Sequence, residues 1–525
     1  MTEGESGASK KTKILIIGWD AADWKIMQPL IDKGLMPATK KLIENGASGK
    51  IATLEPPFSP MLWTSIATGK TPEKHGILDF LEADTETGGI RPVNVTSRKS
   101  RAFWNILNSE GWLCNLVGWW PSHPAEPING NIVSNFFHKE VSGGGDNWPV
   151  KDGSVHPKSL TEALKKYRIH FQEITSEQIL PFIPEALNIK LEENLGVTAI
   201  AKTLANTATV HATCTYLMDN SDWDLTAVYF DGIDHFCHGF IKYHPPQLSG
   251  LSDNLFNYYK EVVSSAYRFH DMMLERQLQL AGEDTIVVLL SDHGFESGSL
   301  RLRKNPDFHA GPAMDHAPYG VLIVNGPGIV KNKKIHGASL LDITPTLLTL
   351  AGLPVGEDMD GKVLTELFET PPTVTSIPSW ENVEGDFGEH PDDLRENPED
   401  AAAEMQQLID LGYVEEPGED LQLAAVNNKR ETNFNLGLVY RSKGDERKAL
   451  ELFEEVYEGK PDEMRYILQY ATQLIRVGAW EKARRLVNEL KNHPDHKQVN
   501  IPLLESKLFL GENKLYMALT SLEEA

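Results

Sequence analysis

Cysteine is scarce in this chain. Three thiols, Cys114, Cys214 and Cys237, stand in 525 residues, far apart and without finger-like spacing, which excludes a disulfide framework and a Cys-ligated zinc site. They are expected to be buried thiols in a reducing compartment. Long apolar runs are missing too. Near the start, "ILII" follows a few lysines as in a secretory leader, but it is four residues long and ends in Gly-Trp-Asp, so it reads as a buried strand. No stretch approaches the ~20 apolar residues of a membrane span, and a cytoplasmic location is the default expectation. Positive charge is the third shortage: 50 Lys and Arg against 75 Asp and Glu give a net charge of −25. Without a sizeable basic patch, such a surface repels nucleic acid and anionic membrane.

What is present divides the chain. Residues 1–12 read as a flexible tail. Over 13–365, the apolar runs "KILIIGWD", "NLVGWWP", "TAVYFDGID", "TIVVLLSDHGF" and "YGVLIVNGPGI" alternate with helical patterns, which predicts an α/β domain with a largely parallel sheet and helices on both faces. Within it, 81–199 is interrupted by Gly-, Pro- and Trp-rich sequence and reads as strands and helices mixed with an inserted cap that shapes a substrate pocket. Residues 366–400, acidic and proline-rich, read as a linker. The remainder, 401–525, turns helical. Gly444 to Gly478 and Ala449 to Ala483 are both 34 apart, with looser beats at Gly511 and Ala518. This period, with Leu436, Gly437 and Tyr440, resembles tetratricopeptide repeats from about residue 433, a module that would serve a protein or peptide partner.

"EPPFSPMLWTSIATGKTPEKHGI" carries the first candidate. Ser59 as N-cap, Pro60 at the first helical position and Gly69 past the end punctuate a short helix. A hydroxyl there also faces unpaired amides and the positive end of the helix dipole, a place suited to an anion.

Three strands end in acids: Asp20, Asp231 with Asp234, and Asp292. Ligands of open α/β sheets collect beyond the carboxyl ends of the strands, so these residues can converge despite their separation in sequence. Asp234 and His238 are one helical turn apart and can reach one cation. Asp292 and His293 are adjacent at a strand end, and His316 precedes another strand. Carboxylate and imidazole together suit zinc or manganese. Two such ions about 4 Å apart clamp the oxygens of a phosphoryl transfer and would acidify a serine bound to one of them.

The ordered motifs "ILIIGWDAADW", "FSPMLWTSIATGKTPEKHGI", "DGIDHFCH", "LLSDHGF", "HAPYGVLIVNGPGI" and "LLDITPTLLTLAGLP" resemble the alkaline phosphatase superfamily, over about residues 13–362, and within it the type I phosphodiesterase/nucleotide pyrophosphatase branch. That resemblance implies a two-metal phosphoric ester hydrolase with Ser59 as nucleophile, in a place more often held by threonine. Asp20, Asp292 and His293 would hold the ion that activates Ser59; Asp234, His238 and His316 would hold the second. His309 competes with His316 for the last position, because its spacing to "NGPG" matches the nucleotide pyrophosphatases, whereas "HAPYG" matches bacterial relatives. The implied reaction is in-line attack by Ser59 on a small-molecule phosphoester, through a covalent phosphoseryl intermediate. His75, His235, His244 and His336 read as structural or surface residues.

Sulfatases of the same superfamily need C/S-x-P-x-R at the nucleophile. Here Ser59-Pro60-Met61-Leu62-Trp63 places proline one position early and lacks the arginine, which disfavours that activity. No Lys or Arg beside the motifs stands out as the extra clamp that a phosphomonoester needs, which favours diesters. Phosphomonoesterase, phosphonate hydrolase and mutase-type transfer remain alternatives on one metal core, as does a scaffold role for the repeats.

Overall fold

A computed structural model describes residues 11–84, 87–139, 148–184, 195–299, 301–304, 309–391, 394, 398–410, 412–416, 418, 420–494 and 500–525. Residues 1–10 of the predicted tail and part of the predicted cap thus lie outside the described residues. The chain forms two compact units, one of residues 1–53, 57–80 and 93–415, the other of 54–56, 81–92 and 416–525.

The first unit is built on a nine-stranded sheet. Its strands in chain order are β1 (Ile14–Trp19), β2 (Gly46–Ala52), β3 (Cys114–Val117), β4 (Gly130–Val133), β5 (Val155–His156), β6 (Leu225–Phe230), β7 (Ile286–Leu290), β8 (Tyr319–Asn325) and β9 (Lys333–Ser339). Their order across the sheet is β9-β2-β8-β7-β1-β6-β3-β4-β5. β1 runs parallel to both neighbours, β6 and β7; β3 is parallel to β4 and β6, and β9 to β2. β8 is antiparallel to β2 and β7, and β5 to β4. All six residues of β1 are buried, as expected of a central parallel strand covered on both faces.

Alternation along β1 assigns those faces. Leu15, Ile17 and Trp19 join a core with residues of the helices Leu195–Asn220 and Val262–Ala281. Gly18 points the other way, onto helix α1 (Ser59–Thr68): a Cβ built there would stand 2.5 Å from the Trp63 ring. Every residue of α1 is buried. Three of its four hydroxyls are satisfied locally, Thr64, Ser65 and Thr68 each donating to the carbonyl four residues back. Trp63 also meets Trp119 and Tyr229 edge-on, at 5.2 and 4.8 Å. The missing side chain at Gly18 is therefore what allows α1 to lie directly over β1. Gly18→Ala should destabilise the protein by about 1–3 kcal/mol, the usual cost of overpacking a core, read as a lower midpoint in chemical denaturation.

Three boundaries differ from the sequence reading. Within 81–199, β3, the strand read from "NLVGWWP", joins the main sheet together with β4 and β5, Cys114–Val117 being buried throughout and paired on both edges. The first part, 81–92, is an antiparallel hairpin of the second unit. Much of 366–400 is packed rather than a linker, since Trp380 and Phe387 bury their rings in a cluster with Ile106, Leu348 and Met359. Arg101 secures this segment by donating to the carbonyls of Trp380 and Val383. The unit runs on to Glu415 through helix α2 (Pro398–Asp410).

The second unit contains three antiparallel helix pairs: Leu421–Ser442 with Glu446–Gly459, Met464–Arg476 with Trp480–Asn492, and Ile501–Gly511 with Leu515–Glu524. Gly444 and Gly478 make the turns within the first two pairs at φ 79° and 78°. In the third pair that left-handed position belongs to Asn513 (φ 62°), 35 residues after Gly478 and in step with Ala518. Gly511, the beat suggested by the sequence, serves another purpose: a Cβ there would meet the Trp480 ring at 2.4 Å. Ala449 and Ala483 are fully buried and Ala518 nearly so, which fits small residues at helix crossings.

All three cysteines are buried and unpaired.

Candidate active site

β7, β1 and β6 are adjacent and parallel, so their carboxyl ends share one edge of the sheet. That arrangement brings Asp20, Asp292 and the helix Gly232–Phe240 with Asp234 together. Directly after Asp20 the chain turns through Ala21 at φ 62°, a strained conformation for a residue with a Cβ. The turn aims the Ala21 amide at Asp292 Oδ1, 3.4 Å away.

Of the predicted ligands, all six acids and histidines meet here. His293 Nε2 stands 3.2 Å from Asp20 Oδ1 and 3.5 Å from Asp292 Oδ2. Asp234 Oδ1 is 3.1 Å from His238 Nε2 and 3.6 Å from His316 Nε2, and the two histidine Nε2 atoms are 3.1 Å apart. The rings of His293 and His316 stack at 3.7 Å. Asp234 takes part in both compact groups, Asp234–His238–His316 and Asp20–Asp234–His293. His309 does not join them: its Nε2 lies 2.9 Å from Asp79 Oδ1.

The donor set fits divalent cations by its chemistry. Asp20 Oδ1, Asp234 Oδ1, Asp292 Oδ2 and His293 Nε2 are buried atoms with no hydrogen-bond partner, a costly state unless a cation engages them. The Nδ1 atoms of His293 and His316 lie 2.9 Å from the carbonyls of Gly294 and Pro57. Since a carbonyl only accepts, each Nδ1 carries a proton, which leaves Nε2 as the nitrogen that faces the carboxylates and on which a cation could take the place of a second proton. Electrostatics point the same way. Burial opposes a charge on His293, but Asp292 and Asp20 outweigh it and lift the imidazole to about 10. Burial and Asp20 push Asp292 well above the usual carboxylate range. The carboxylates thus attract positive charge to this place.

Ser59 is the first helical residue of α1 rather than its cap. Phe58 occupies the N-cap with φ −100° and ψ 118°, Pro60 falls second, and no side chain caps the helix. This shift leaves the Ser59 hydroxyl uncommitted to the helix end, and it lines a pocket with Asp20, Asp234, Trp120, Asn135 and Tyr229. The far end closes as foreseen: Gly69 (φ 67°) donates its amide to Ser65. His75 is fully buried, with Nε2 2.8 Å from Ser65 Oγ. Burial lowers it to about 3, so it packs as a neutral ring.

Several pocket residues escaped the sequence reading. Lys139, His138 and His235 line it, as do Glu404, Gln407, Leu408 and Tyr413 from α2 and the turn after it. His235, read from sequence as structural, lies 3.9 Å from Asp231 and faces this space. Lys139 supplies the cation that the motifs lacked, but Glu404 already answers it at 3.5 Å, both side chains being largely buried. Tyr229 donates to Asp20 Oδ2 at 2.5 Å; burial, then Asp20, raises its hydroxyl well above its ordinary range, so it stays a donor.

The fold and this cluster define an α/β domain of enzyme type, with acids and histidines gathered at the carboxyl edge of its sheet. A family model described as type I phosphodiesterase / nucleotide pyrophosphatase matches residues 14–317, and the chain belongs to that family of phosphoester-acting enzymes. It is also similar to arylsulfatase K of Bos taurus, 33% identical over 111 residues, which cover 20% of this chain and 19% of that protein. The catalytic subunit of GPI ethanolamine phosphate transferase 3 of Homo sapiens is 23% identical over 154 residues, covering 29% of this chain and 12% of that protein. The chain thus spans less than a fifth of the length of either relative. Among solved structures, a 2-O GAG sulfatase aligns with TM-score 0.44 and 16% identity, over 70% of this chain and 76% of that one. Human ectonucleotide pyrophosphatase / phosphodiesterase 5 aligns with TM-score 0.40 and 10% identity, over 68% and 100%. No helix among the described residues is long and apolar enough to cross a membrane.

Proposed function

We propose that this protein is a metal-dependent phosphoric ester hydrolase, selective for diesters, that works through Ser59. The observation that carries the reading is the set of buried, unpartnered carboxylate and imidazole atoms beside the pocket that Ser59 lines. Asp20, Asp292 and His293 would hold one cation and Asp234, His238 and His316 the other; zinc or manganese suits this donor set. Bound there, the ions would acidify the serine hydroxyl and offset charge on the phosphoryl oxygens. The Ser59 oxygen attacks phosphorus in line, an alkoxide leaves, and water later cleaves the phosphoseryl ester. Tyr229 holds Asp20 by one oxygen and leaves the other for the cation. The amides of Ser59 and Met61 at the start of α1 would serve a phosphoryl oxygen; Pro60 between them has no N–H to add.

Diester selectivity rests on the pairing of Lys139 with Glu404. A phosphomonoester carries an additional negative charge, and Lys139, the one lysine lining the pocket among the described residues, is already neutralised. Glu404→Gln should free Lys139 and raise the ratio of phosphomonoester to diester turnover by about tenfold, the worth of one charge-assisted hydrogen bond at ~1.4 kcal/mol. Steady-state rates on paired aryl esters read this directly.

The decisive assay strips the protein of metal, restores zinc or manganese, and follows aryl phosphodiesters, phosphomonoesters and sulfates. The proposal expects metal-dependent diester turnover to lead. Absence of metal-dependent turnover on every phosphoester refutes it, and a dominant rate on the sulfate ester refutes the choice of phosphorus. The helix pairs of the second unit support a tetratricopeptide-like reading through their spacing and their buried alanines, and a peptide or protein partner is proposed for them. Immobilised peptide libraries probed with the full chain test that part.

A further inference from the structure

Tyr413 lies nearly a hundred residues beyond the family-matched segment, yet its hydroxyl reaches the centre of the cluster. It stands 3.2 Å from Asp234 Oδ2 and 2.8 Å from His238 Nε2. The residue is 3% exposed, and its placement is built rather than incidental. Gly412, at φ 79°, turns the chain out of α2. The Tyr413 amide donates to the Leu408 carbonyl at 3.0 Å. The Tyr413 carbonyl accepts the Ala310 amide at 2.9 Å. The ring stacks on Phe80, with centroids 4.5 Å apart and planes at 29°. Packing alone would be served equally well by phenylalanine, and burying a phenol costs free energy unless its O–H is used.

We propose that Tyr413 is a positioning residue for the Asp234–His238–His316 site, holding Asp234 by one oxygen so that the other is presented to a cation. The inference rests on reading that cluster as a metal site. A carboxylate can rotate about its bond to Cβ. With Oδ2 accepting the phenol, Oδ1 is fixed between His238 and His316, at 3.1 and 3.6 Å from their Nε2 atoms. Oδ1 is also the Asp234 atom that has no hydrogen bond. A phenol has a single proton, and it goes to Oδ2 whenever His238 Nε2 is engaged by a cation. The Asp20–Asp292–His293 side has no such contact with Tyr413. Loss of the hydroxyl should therefore weaken one site and spare the other.

The test uses the full chain, stripped of metal and titrated with zinc against a chromophoric chelator. Wild-type protein is expected to take up two ions in resolvable steps. Tyr413→Phe should weaken one step by about 10- to 100-fold, the range found when an outer partner of a ligand is removed, with the second step and the melting temperature of the metal-free protein unchanged. Equal affinities in Tyr413→Phe and wild type overturn the inference, and so does parallel weakening of both steps, the mark of a general structural role. Phe80→Leu is the second variant: it loosens the ring but keeps the hydroxyl, and a loss of zinc affinity equal to that of Tyr413→Phe overturns the assignment. If the wild-type chain takes up no zinc, the metal reading itself fails and this inference falls with it.

Discussion

Ser59→Ala is expected to lower kcat on a phosphodiester by at least about a thousandfold while leaving the fold intact. The size follows from the role: without the nucleophile, only positioning and electrostatic stabilisation remain, and a thousandfold corresponds to ~4 kcal/mol of barrier. The separation from stability follows from geometry. Phe58 is the N-cap and no side-chain hydrogen bond is made there, so the ~1 kcal/mol usually lost with a capping hydroxyl is not at stake. Thermal melts of the two proteins should nearly coincide. Ser59→Thr, which keeps a hydroxyl, should recover part of the rate. Rapid-quench experiments with a labelled diester should trap label on wild-type protein and none on Ser59→Ala. Undiminished turnover in Ser59→Ala would rule out the serine mechanism.

Asp234→Asn should produce the second large effect, a loss of at least about a hundredfold in activity together with a lower metal content. Removing an outer partner of a metal ligand already costs 10–100-fold, and Asp234 belongs to both compact groups at the sheet edge. Its stability signature has two parts. Burial opposes the charge on Asp234, but His238, His316 and His293 outweigh it and hold its carboxyl well below the usual carboxylate range, so the folded metal-free protein gains stability from that charge. The stripped variant should melt below stripped wild type, and the rise in melting temperature that zinc gives wild type, by binding the folded state alone, should largely vanish. Calorimetry with and without zinc, beside metal analysis, checks both halves. A variant that keeps two ions and the full zinc-induced stabilisation would remove Asp234 from the centre.

Much of this site was legible in the sequence for a topological reason. Asp20, Asp231 and Asp292 each follow an apolar run, and in a parallel sheet consecutive runs end on the same edge; the registers of β1 with β6 and β7 do the rest. Tyr413, Lys139 and Glu404 were not legible, because nothing in their local pattern indicates which face of the molecule they reach. The stop at Gly412 before an aromatic residue was the one available signal. The segment 366–400 misled for the converse reason: its proline and acid content looks unstructured, yet two rings, Trp380 and Phe387, suffice to anchor it. Ser59 moved by a single helical position, a shift set by the extended backbone of Phe58 and invisible in the residue types.

The three thiols give the molecule a built-in clock. Burial lifts Cys214 to about 12 and raises Cys114 and Cys237 as well, so none offers a thiolate to an alkylating reagent at neutral pH. Modification must wait for the surrounding structure to open, and its rate in the native protein measures how often that happens. Cys237 sits in the helix that carries Asp234 and His238, so its labelling rate, compared with that of Cys114 on β3, reports how firmly the carboxyl edge of the sheet is closed.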